Sequence, residues 1–144
     1  MIGRSLFLVS CIALVASPAF AEIARVKSSS GAASVQRGAN QIPAKTGQDL
    51  NAGDWLVTGK DGRISLTFVD NTRFAVGPNS RISVSKFEYE KTRQQGTFLT
   101  QVDRGSLAVV SGKIAKSGHD AMKVRTPNSL LGVRGTRFLV EVPK

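Results

Sequence analysis

The sequence contains few side chains that could act as an acid, a base or a nucleophile. His119 is the only histidine, and Ser117 and Asp120 lie close to it in a segment rich in Gly and Lys. These three residues could in principle form a hydrolytic triad, but near neighbours in one loop rarely converge on that geometry. Cys11, the only cysteine, lies in a segment that we predict to be removed on export. We therefore expect a protein that is not an enzyme, with His119 as a solvated loop residue.

Metal coordination is limited by the same shortage of side chains. Four histidine or cysteine ligands do not exist, which excludes a zinc site of the usual kind. A calcium site would have to draw on Asp49, Asp54, Asp61 and Asp70. These aspartates lie in or near turn signals, where the side chain commonly caps backbone amides instead. We expect no metal site and no cofactor.

Basic residues are the better candidates for binding. The chain has 20 Lys and Arg against 10 Asp and Glu, a formal net charge of +10, which attracts anionic partners over long range. The candidate binding surface consists of Arg63, Arg73, Arg81, Arg134 and Arg137, which could form a basic strip on one sheet face, together with the single tryptophan Trp55 and the single tyrosine Tyr89. The alternatives are a solvated polar face for the arginines and core or rim packing for the two aromatic residues. Because the basic residues are spread along the chain rather than gathered in a run, we do not expect binding to nucleic acid.

Short strands must position these residues. Three segments that start with Arg and continue with alternating apolar and small residues begin at 63, 73 and 81, and turn signals separate them. Outside the N-terminal signal, no window of ten or more residues has a helical apolar stripe with caps. We predict an all-β fold with many short strands in a single compact domain. The spacing fits either a β-helical, solenoid-like coil or a closed β-meander or sandwich, and periodicity alone does not choose between them.

Three later segments carry definite expectations. A turn at Asp103-Arg104-Gly105 should separate two strands, and residues 111–121 are interpreted as an exposed loop. Val133, Phe138 and Val140 are expected in the core, which would place the last strand inside the sheet. Gly135 is expected to meet a backbone requirement at the preceding turn, so that Gly135→Val should unfold the domain.

The order of these turn and strand motifs resembles that of the FecR-type periplasmic domain. The similar motifs are Gly53-Asp54, Thr58-Gly59, residues 63–72, residues 77–80, Gly105-Ser106-Leu107, residues 123–127 and residues 133–138. The resemblance covers about residues 31–142. It implies a β domain used for binding, because well-studied members sense an outer-membrane iron transporter and regulate a sigma factor. Only five residues precede the apolar run that starts at Leu6, so we expect a stand-alone module that does not itself carry a signal across the membrane.

The N-terminus is predicted to direct export. Residues 1–21 are interpreted as a cleavable secretory signal peptide, with Arg4 as the positive charge, an apolar run, and small residues at the cleavage site after Ala21. The mature domain would then comprise residues 22–144, without a transmembrane segment. Leu8-Val9-Ser10-Cys11 resembles a lipobox, so a lipoprotein attached through Cys11 is the alternative. The predicted location is the periplasm.

Two binding functions follow from these observations. The leading hypothesis is a non-enzymatic periplasmic binding or regulatory module, linked to signalling, that acts through contacts with another protein of the cell envelope. The alternative is binding of an anionic polymer of the cell wall or outer membrane, peptidoglycan or lipopolysaccharide, through a basic sheet face. Polymer binding of this kind should weaken steeply as the ionic strength rises.

Overall fold

The computed structural model describes Gly3 and residues 22–143. The predicted signal peptide and the lipobox cysteine Cys11 lie outside these residues. In chain order the elements are β1 (Ala24–Ser30), β2 (Ala33–Arg37), β3 (Asn40–Pro43), β4 (Asp49–Leu50), β5 (Trp55–Thr58), β6 (Arg63–Phe68), β7 (Arg73–Val76), β8 (Arg81–Glu90), β9 (Gln95–Val110), α1 (Lys113–Ser117), β10 (Met122–Arg125), β11 (Leu130–Val133) and β12 (Arg137–Val142). The predicted all-β class is confirmed, and no helix in the described part of the chain has the length and apolarity that a membrane span requires.

The strands form one curled sheet with the shape of a half-barrel. Its front half contains, in order, β12, the C-terminal part of β9, β7, β6, β1 and β4. Its back half contains β3, β2, β5, β8, the N-terminal part of β9, β10 and β11. Every pairing between the described strands is antiparallel except that of β9 with β10. A parallel β-helical coil is therefore excluded. The sheet is also not a closed meander, because it forms a half-barrel in which many neighbouring strands, such as β5 and β8 or β7 and β9, are not consecutive in the chain.

The long strand β9 joins the two halves. Its first part pairs with β8 as far as Arg104, and its last part pairs with β7 from Leu107 onward. Gly105 between them has a φ of +92°, and a Cβ at this position would overlap Ser80. The sequence predicts a turn here that separates two strands. Instead the chain bends at Gly105 and continues as one strand, because glycine adopts this backbone conformation without steric penalty.

The core lies between the two halves and is built around four phenylalanine rings. Phe68 of β6 lies 4.8 Å from Phe98 of β9 and 5.6 Å from Phe87 of β8, measured between ring centroids. Phe74 of β7 packs edge-on against Phe68 at 4.6 Å. Complete burial of one such side chain contributes about 1.5–3 kcal/mol to folding. The alternation predicted for β6 is confirmed, since Ile64, Leu66 and Phe68 are all buried.

The prediction of an exposed loop at residues 111–121 is wrong. This segment contains α1, in which Ile114 and Ala115 are buried. The helix is too short to show a helical apolar stripe in the sequence. It is held by Asp70, whose carboxylate accepts a hydrogen bond from the N–H of Ile114 at 3.1 Å. A carboxylate that is distant in the chain therefore fixes this helix.

The last strand lies at an edge of the front half. Within the described residues β12 pairs only with β9. Val140 is buried, and Phe138 and Val133 pack partly against the core. The predicted apolar inner face is confirmed, but the predicted interior position is wrong. Side-chain alternation reports which face of a strand is covered and carries no information on how many neighbours the strand has.

Gly135 does not meet a special backbone requirement. Its φ lies outside the left-handed region, and the nearest neighbour of an added Cβ would be the carbonyl oxygen of Arg137 at 3.8 Å. The turn is held from Ser111, whose hydroxyl donates to the carbonyl of Gly135 at 2.5 Å and whose N–H donates to the carbonyl of Thr136 at 2.8 Å. The expectation that Gly135→Val unfolds the domain assumed that position 135 requires glycine, and this assumption is wrong.

Candidate binding groove

A groove of about 680 Å³ crosses the outer face of the front half. Its floor consists of Ser65, Ala75 and Ala108, which stand side by side on β6, β7 and β9. These residues point outward because their neighbours along each strand point into the core. Ser28 of β1 continues the row, and its hydroxyl is hydrogen-bonded to that of Ser65. Because all four side chains are small, they leave a channel across β1, β6, β7 and β9, and the exposed Leu139 of β12 stands at its end.

One side of the groove is a row of larger residues. The row passes from Thr67 on β6 to Arg73 on β7, to Val110 on β9 and to Arg137 on β12. Val110 is 36 % exposed and has an arginine on each side. Neighbouring strands are about 4.8 Å apart, so the backbone positions of Arg73 and Arg137 are separated by about 10 Å.

Lys27 supplies a third cation to the groove. It lies on β1, where the register with β6 shifts between Val26 and Ser28. The extra residue in this bulge is exposed and lines the groove, whereas Val26 is buried. Since β1 is two strands away from β7, its lysine also lies about two strand spacings, or about 10 Å, from Arg73. Three cations therefore border the channel, but Lys27 is displaced from the row of Arg73 and Arg137 toward the floor, because it lies between the levels of Leu66 and Ser65.

These three cations are available to a ligand. Within residues 22–143, ion pairs join Arg25 to Glu22 and Asp49, Arg37 to Asp54, Arg81 to Asp103, Lys86 to Glu88, and Arg93 to Glu90, and none involves Lys27, Arg73 or Arg137. Arg25 stands on the same outer face, but its hydrogen bond to Asp49 raises the pKa of Arg25 above the ordinary value and engages its charge. Among the described residues, no carboxylate forms an ion pair with these three cations of the groove.

The structure brings together some of the predicted surface arginines. Arg73 and Arg137 line the groove, and Arg63 lies at the other end of β6 on the same outer face. Arg81 lies on the back half, and Arg134 lies in the segment between β11 and β12. The five arginines therefore do not form one continuous strip.

Trp55 and Arg81 form a separate polar cluster on the outer face of the back half. The Arg81 guanidinium stacks on the Trp55 ring at 4.2 Å, donates to the side chain of Gln36 at 3.0 Å, and lies 3.4 Å from Asp103. Arg81 is thereby fixed by three neighbours. Tyr89, near the end of β8, is half-buried and packs against the core. Neither aromatic residue contributes to the groove.

Sequence reasoning missed Lys27 and the outward residues Ser65, Thr67, Ala75, Ala108 and Val110. The sequence shows that such residues alternate with apolar ones. It does not show which strands are neighbours, so the alignment of three small side chains across three strands could not be inferred. The only local signal was the repeated choice of a small residue at an outward position.

Ser117, His119 and Asp120, which could in principle form a hydrolytic triad but are not expected to do so, are not joined by hydrogen bonds in the described part of the chain. The Ser117 hydroxyl donates to the carbonyl of Ile114 at 2.7 Å. His119 is exposed, and its ring nitrogens lie 3.1 and 3.2 Å from Nη1 of Arg134. Among residues 22–143, no three His, Cys, Asp or Glu side chains are grouped in a way that could hold a metal ion.

Several motif residues have a structural role at the corner where the chain passes between the two halves. The Thr58 hydroxyl donates to the carbonyl of Gly77 at 2.7 Å and accepts from the N–H of Ser80 at 2.9 Å. The Ser80 hydroxyl in turn accepts from the N–H of Ser106 at 3.0 Å. Thr58 and Ser80 are buried, so these bonds satisfy backbone groups that water does not reach.

Asp54 anchors a second corner. It is 5 % exposed and binds the Arg37 guanidinium with both carboxylate oxygens, at 2.7 and 2.9 Å. The hydrogen bond from Arg37 raises the pKa of Arg37 above its ordinary value. Asp54 also accepts from the N–H of Asn51 at 2.9 Å. The Gly-Asp motif therefore ties the turn before β5 to the end of β2.

Comparison with protein families agrees with the motif order. A family model described as FecR protein matches residues 54–144. No curated protein and no solved structure matches the chain. The matched range contains Arg73 and Arg137 of the groove, whereas Lys27 lies before it.

Proposed function

The chain belongs to the FecR family, and from this premise we propose that it is a non-enzymatic binding module of the cell envelope that acts through contacts with another protein. The FecR family is associated with regulation of signalling at the cell envelope, and its domains are generally envelope-associated. The proposal also includes a periplasmic location, reached by removal of a signal peptide, and a role as a binding or regulatory partner in signalling.

The groove on the front half is the observation that carries the proposal. It combines an open floor of small side chains, an exposed apolar residue in Val110, and three cations that no carboxylate of the described residues neutralises. A surface of this composition resembles the contact regions of protein partners, which mix apolar area with arginine. Its lining residues offer no carboxylate, histidine or cysteine that could act as a general base.

A second candidate function is the binding of an anionic envelope polymer. It is favoured by the cations Lys27, Arg73 and Arg137 along the groove and by Arg63 on the same outer face. None of the outward-facing residues that line the groove is aromatic, so the groove has no ring on which a sugar could stack. This weighs against a sugar ligand. Trp55 lies on the other half of the sheet and is covered on one face by Arg81.

Affinity capture from envelope extract separates the two functions. The purified protein, the double variant Arg73→Glu, Arg137→Glu and the control Arg93→Glu would each be immobilised and incubated at low and at high salt. Arg93 is exposed at the β8–β9 hairpin, away from the groove, so its variant makes the same kind of charge change elsewhere. The proposal expects one envelope protein to be retained at both salts by the wild type and the control, and to be lost from the double variant.

Other outcomes of the capture experiment count against the proposal. Recovery of only peptidoglycan or lipopolysaccharide, confined to low salt, would support the second function instead. Capture that is unaffected by the double variant would exclude the groove. Measurable turnover of a substrate that disappears on His119→Ala would contradict the non-enzymatic part of the proposal.

A further inference from the structure

We propose that the groove binds an acidic peptide segment in the polyproline II conformation, with an acidic side chain at every third residue. The proposal rests on the proposed function, since the peptide would belong to the protein partner. It is carried by the arrangement of Arg137, Arg73 and Lys27 along one channel of the front half.

The spacing of the cations selects the period of the ligand. Arg137, Arg73 and Lys27 lie on β12, β7 and β1, and one strand lies between each pair. Adjacent strands are about 4.8 Å apart, so successive cation-bearing positions are about 10 Å apart. An occupant that follows the channel matches these positions best when it presents anionic groups at about this interval, with the group nearest Lys27 displaced toward the floor.

An extended peptide with polyproline II geometry meets this requirement. It has three residues per turn and rises about 3.1 Å per residue, so side chains three apart point in one direction at intervals of about 9.3 Å. A β-strand repeats on one side at about 6.7 Å or about 13 Å, and neither value matches the cation spacing. The flexible arginine and lysine side chains relax the precision of the match that is required, and the polyproline II repeat remains the nearest to the spacing of the cation-bearing positions.

The floor of the groove favours an extended backbone over a helix. Polyproline II makes no internal hydrogen bonds, so its amides and carbonyls need partners along its length. Ser65 in the floor and Thr67 in the side row are half-buried and carry hydroxyls that can donate or accept, although the Ser65 hydroxyl already shares one hydrogen bond with Ser28. A helical peptide satisfies its own backbone and would leave these hydroxyls without ligand partners. Ala75, Ala108 and Val110 offer apolar contact to the residues between the acidic positions.

The chemistry of the cations also favours carboxylates. Arg73 and Arg137 can each bind a carboxylate through two parallel N–H···O hydrogen bonds, which fixes its position as well as its charge. Lys27 acts as a point charge and tolerates more variation in geometry. We therefore expect the two arginines to determine register and the lysine to contribute mainly attraction.

The test compares peptides of identical composition and different order. The first consists of three Glu-Pro-Ala repeats. The second places its three glutamates at alternate residues, and the third places them together at one end. Affinity for the full-length protein is measured by fluorescence anisotropy at low salt and at about 0.15 M salt. The repeat peptide is expected to bind about tenfold more tightly than either isomer, and the preference should persist at the higher salt.

Variants of the protein assign the binding to the groove. Arg73→Gln and Arg137→Gln should each weaken binding of the repeat peptide about tenfold and remove the preference over its isomers. Arg73→Lys keeps the charge and should still lose most of the preference, because lysine cannot form the paired hydrogen bonds. Arg93→Gln should bind like the wild type.

Several results would overturn the inference. These are equal affinity for the three peptides, tighter binding of a helical peptide with acidic residues seven apart, and loss of binding in Arg93→Gln equal to that in Arg73→Gln. If capture from envelope extract depends on Arg73 and Arg137 while the repeat peptide does not bind, the proposed function stands and the peptide inference fails. If capture is itself independent of the groove, the proposed function fails.

Discussion

Replacement of Asp70 by asparagine tests the buried network that joins the β6–β7 hairpin to α1. The Asp70 side chain is completely buried. One of its oxygens accepts from the N–H of Thr72 at 3.0 Å, and the other accepts from the Thr72 hydroxyl at 2.8 Å and from the N–H of Ile114 at 3.1 Å. The main-chain carbonyl of Asp70 accepts from the N–H of Lys113 at 2.8 Å. Within residues 22–143 no cation forms an ion pair with this carboxylate, so these donors stabilise its charge.

Asparagine has one acceptor oxygen where aspartate has two, so it cannot satisfy the same donors. If the amide nitrogen of asparagine takes the place of the oxygen near Ile114, both the Thr72 hydroxyl and the N–H of Ile114 face another donor and lose their acceptor. If it replaces the other oxygen, only the N–H of Thr72 loses its partner, and this orientation is the cheaper one. A buried N–H without a partner costs about 1–3 kcal/mol, and the two remaining hydrogen bonds lose the strength that a charged acceptor provides. We expect Asp70→Asn to lower the free energy of unfolding by about 2–4 kcal/mol.

Urea denaturation followed by fluorescence of Trp55, the only tryptophan, measures this loss. The matched control is Glu88→Gln, which removes one carboxylate charge from an exposed side chain and should change stability by less than about 0.5 kcal/mol. Asp70→Asn should also lower Tm by roughly 10 °C in a domain of this size. A loss below about 0.5 kcal/mol for Asp70→Asn, with an unchanged denaturant slope, would refute the argument that this carboxylate fixes the hairpin and the helix.

Three further substitutions test other parts of the structure. Gly135→Val should leave the domain folded, with a loss below about 1 kcal/mol in urea denaturation, because the site is open and φ is not positive; an unfolded circular dichroism spectrum would contradict this. Gly105→Ala should cost about 3 kcal/mol or more, because φ is +92° and the added methyl group overlaps Ser80, and a stability equal to wild type would show that β9 does not bend as described. Arg81→Ala should cost about 1 kcal/mol and increase acrylamide quenching of Trp55, which the guanidinium covers; unchanged quenching would contradict the stacked geometry.

The sequence predicts the local elements well where side chains alternate. The segments that start at Arg63, Arg73 and Arg81 become β6, β7 and β8 with those residues as their first positions. The alternating pattern also predicts correctly which residues of β6 face the core. Such agreement is expected, because the direction of a side chain in a strand depends only on the position along the strand.

What the sequence could not predict depends on pairing between distant strands. The floor of the groove exists because Ser65, Ala75 and Ala108 fall in register across three strands, and no local pattern encodes that register. The same limit applies to α1, which is fixed by Asp70 more than forty residues earlier. It applies as well to the arginine strip, because Arg81 is directed to the back half by its pairing partners and not by its own neighbours in sequence.

The position of β9 also has a consequence for the order of folding. This strand has β8 and β10 as neighbours in its first part and β7 and β12 in its last part. Chains emerge from synthesis with the N-terminal end first, so β1 to β8 are complete before the strand that bridges β7 and β8 exists. Until then both of those strands present unpaired edges, which are templates for aggregation. We therefore expect slow folding that is completed only after β9 emerges.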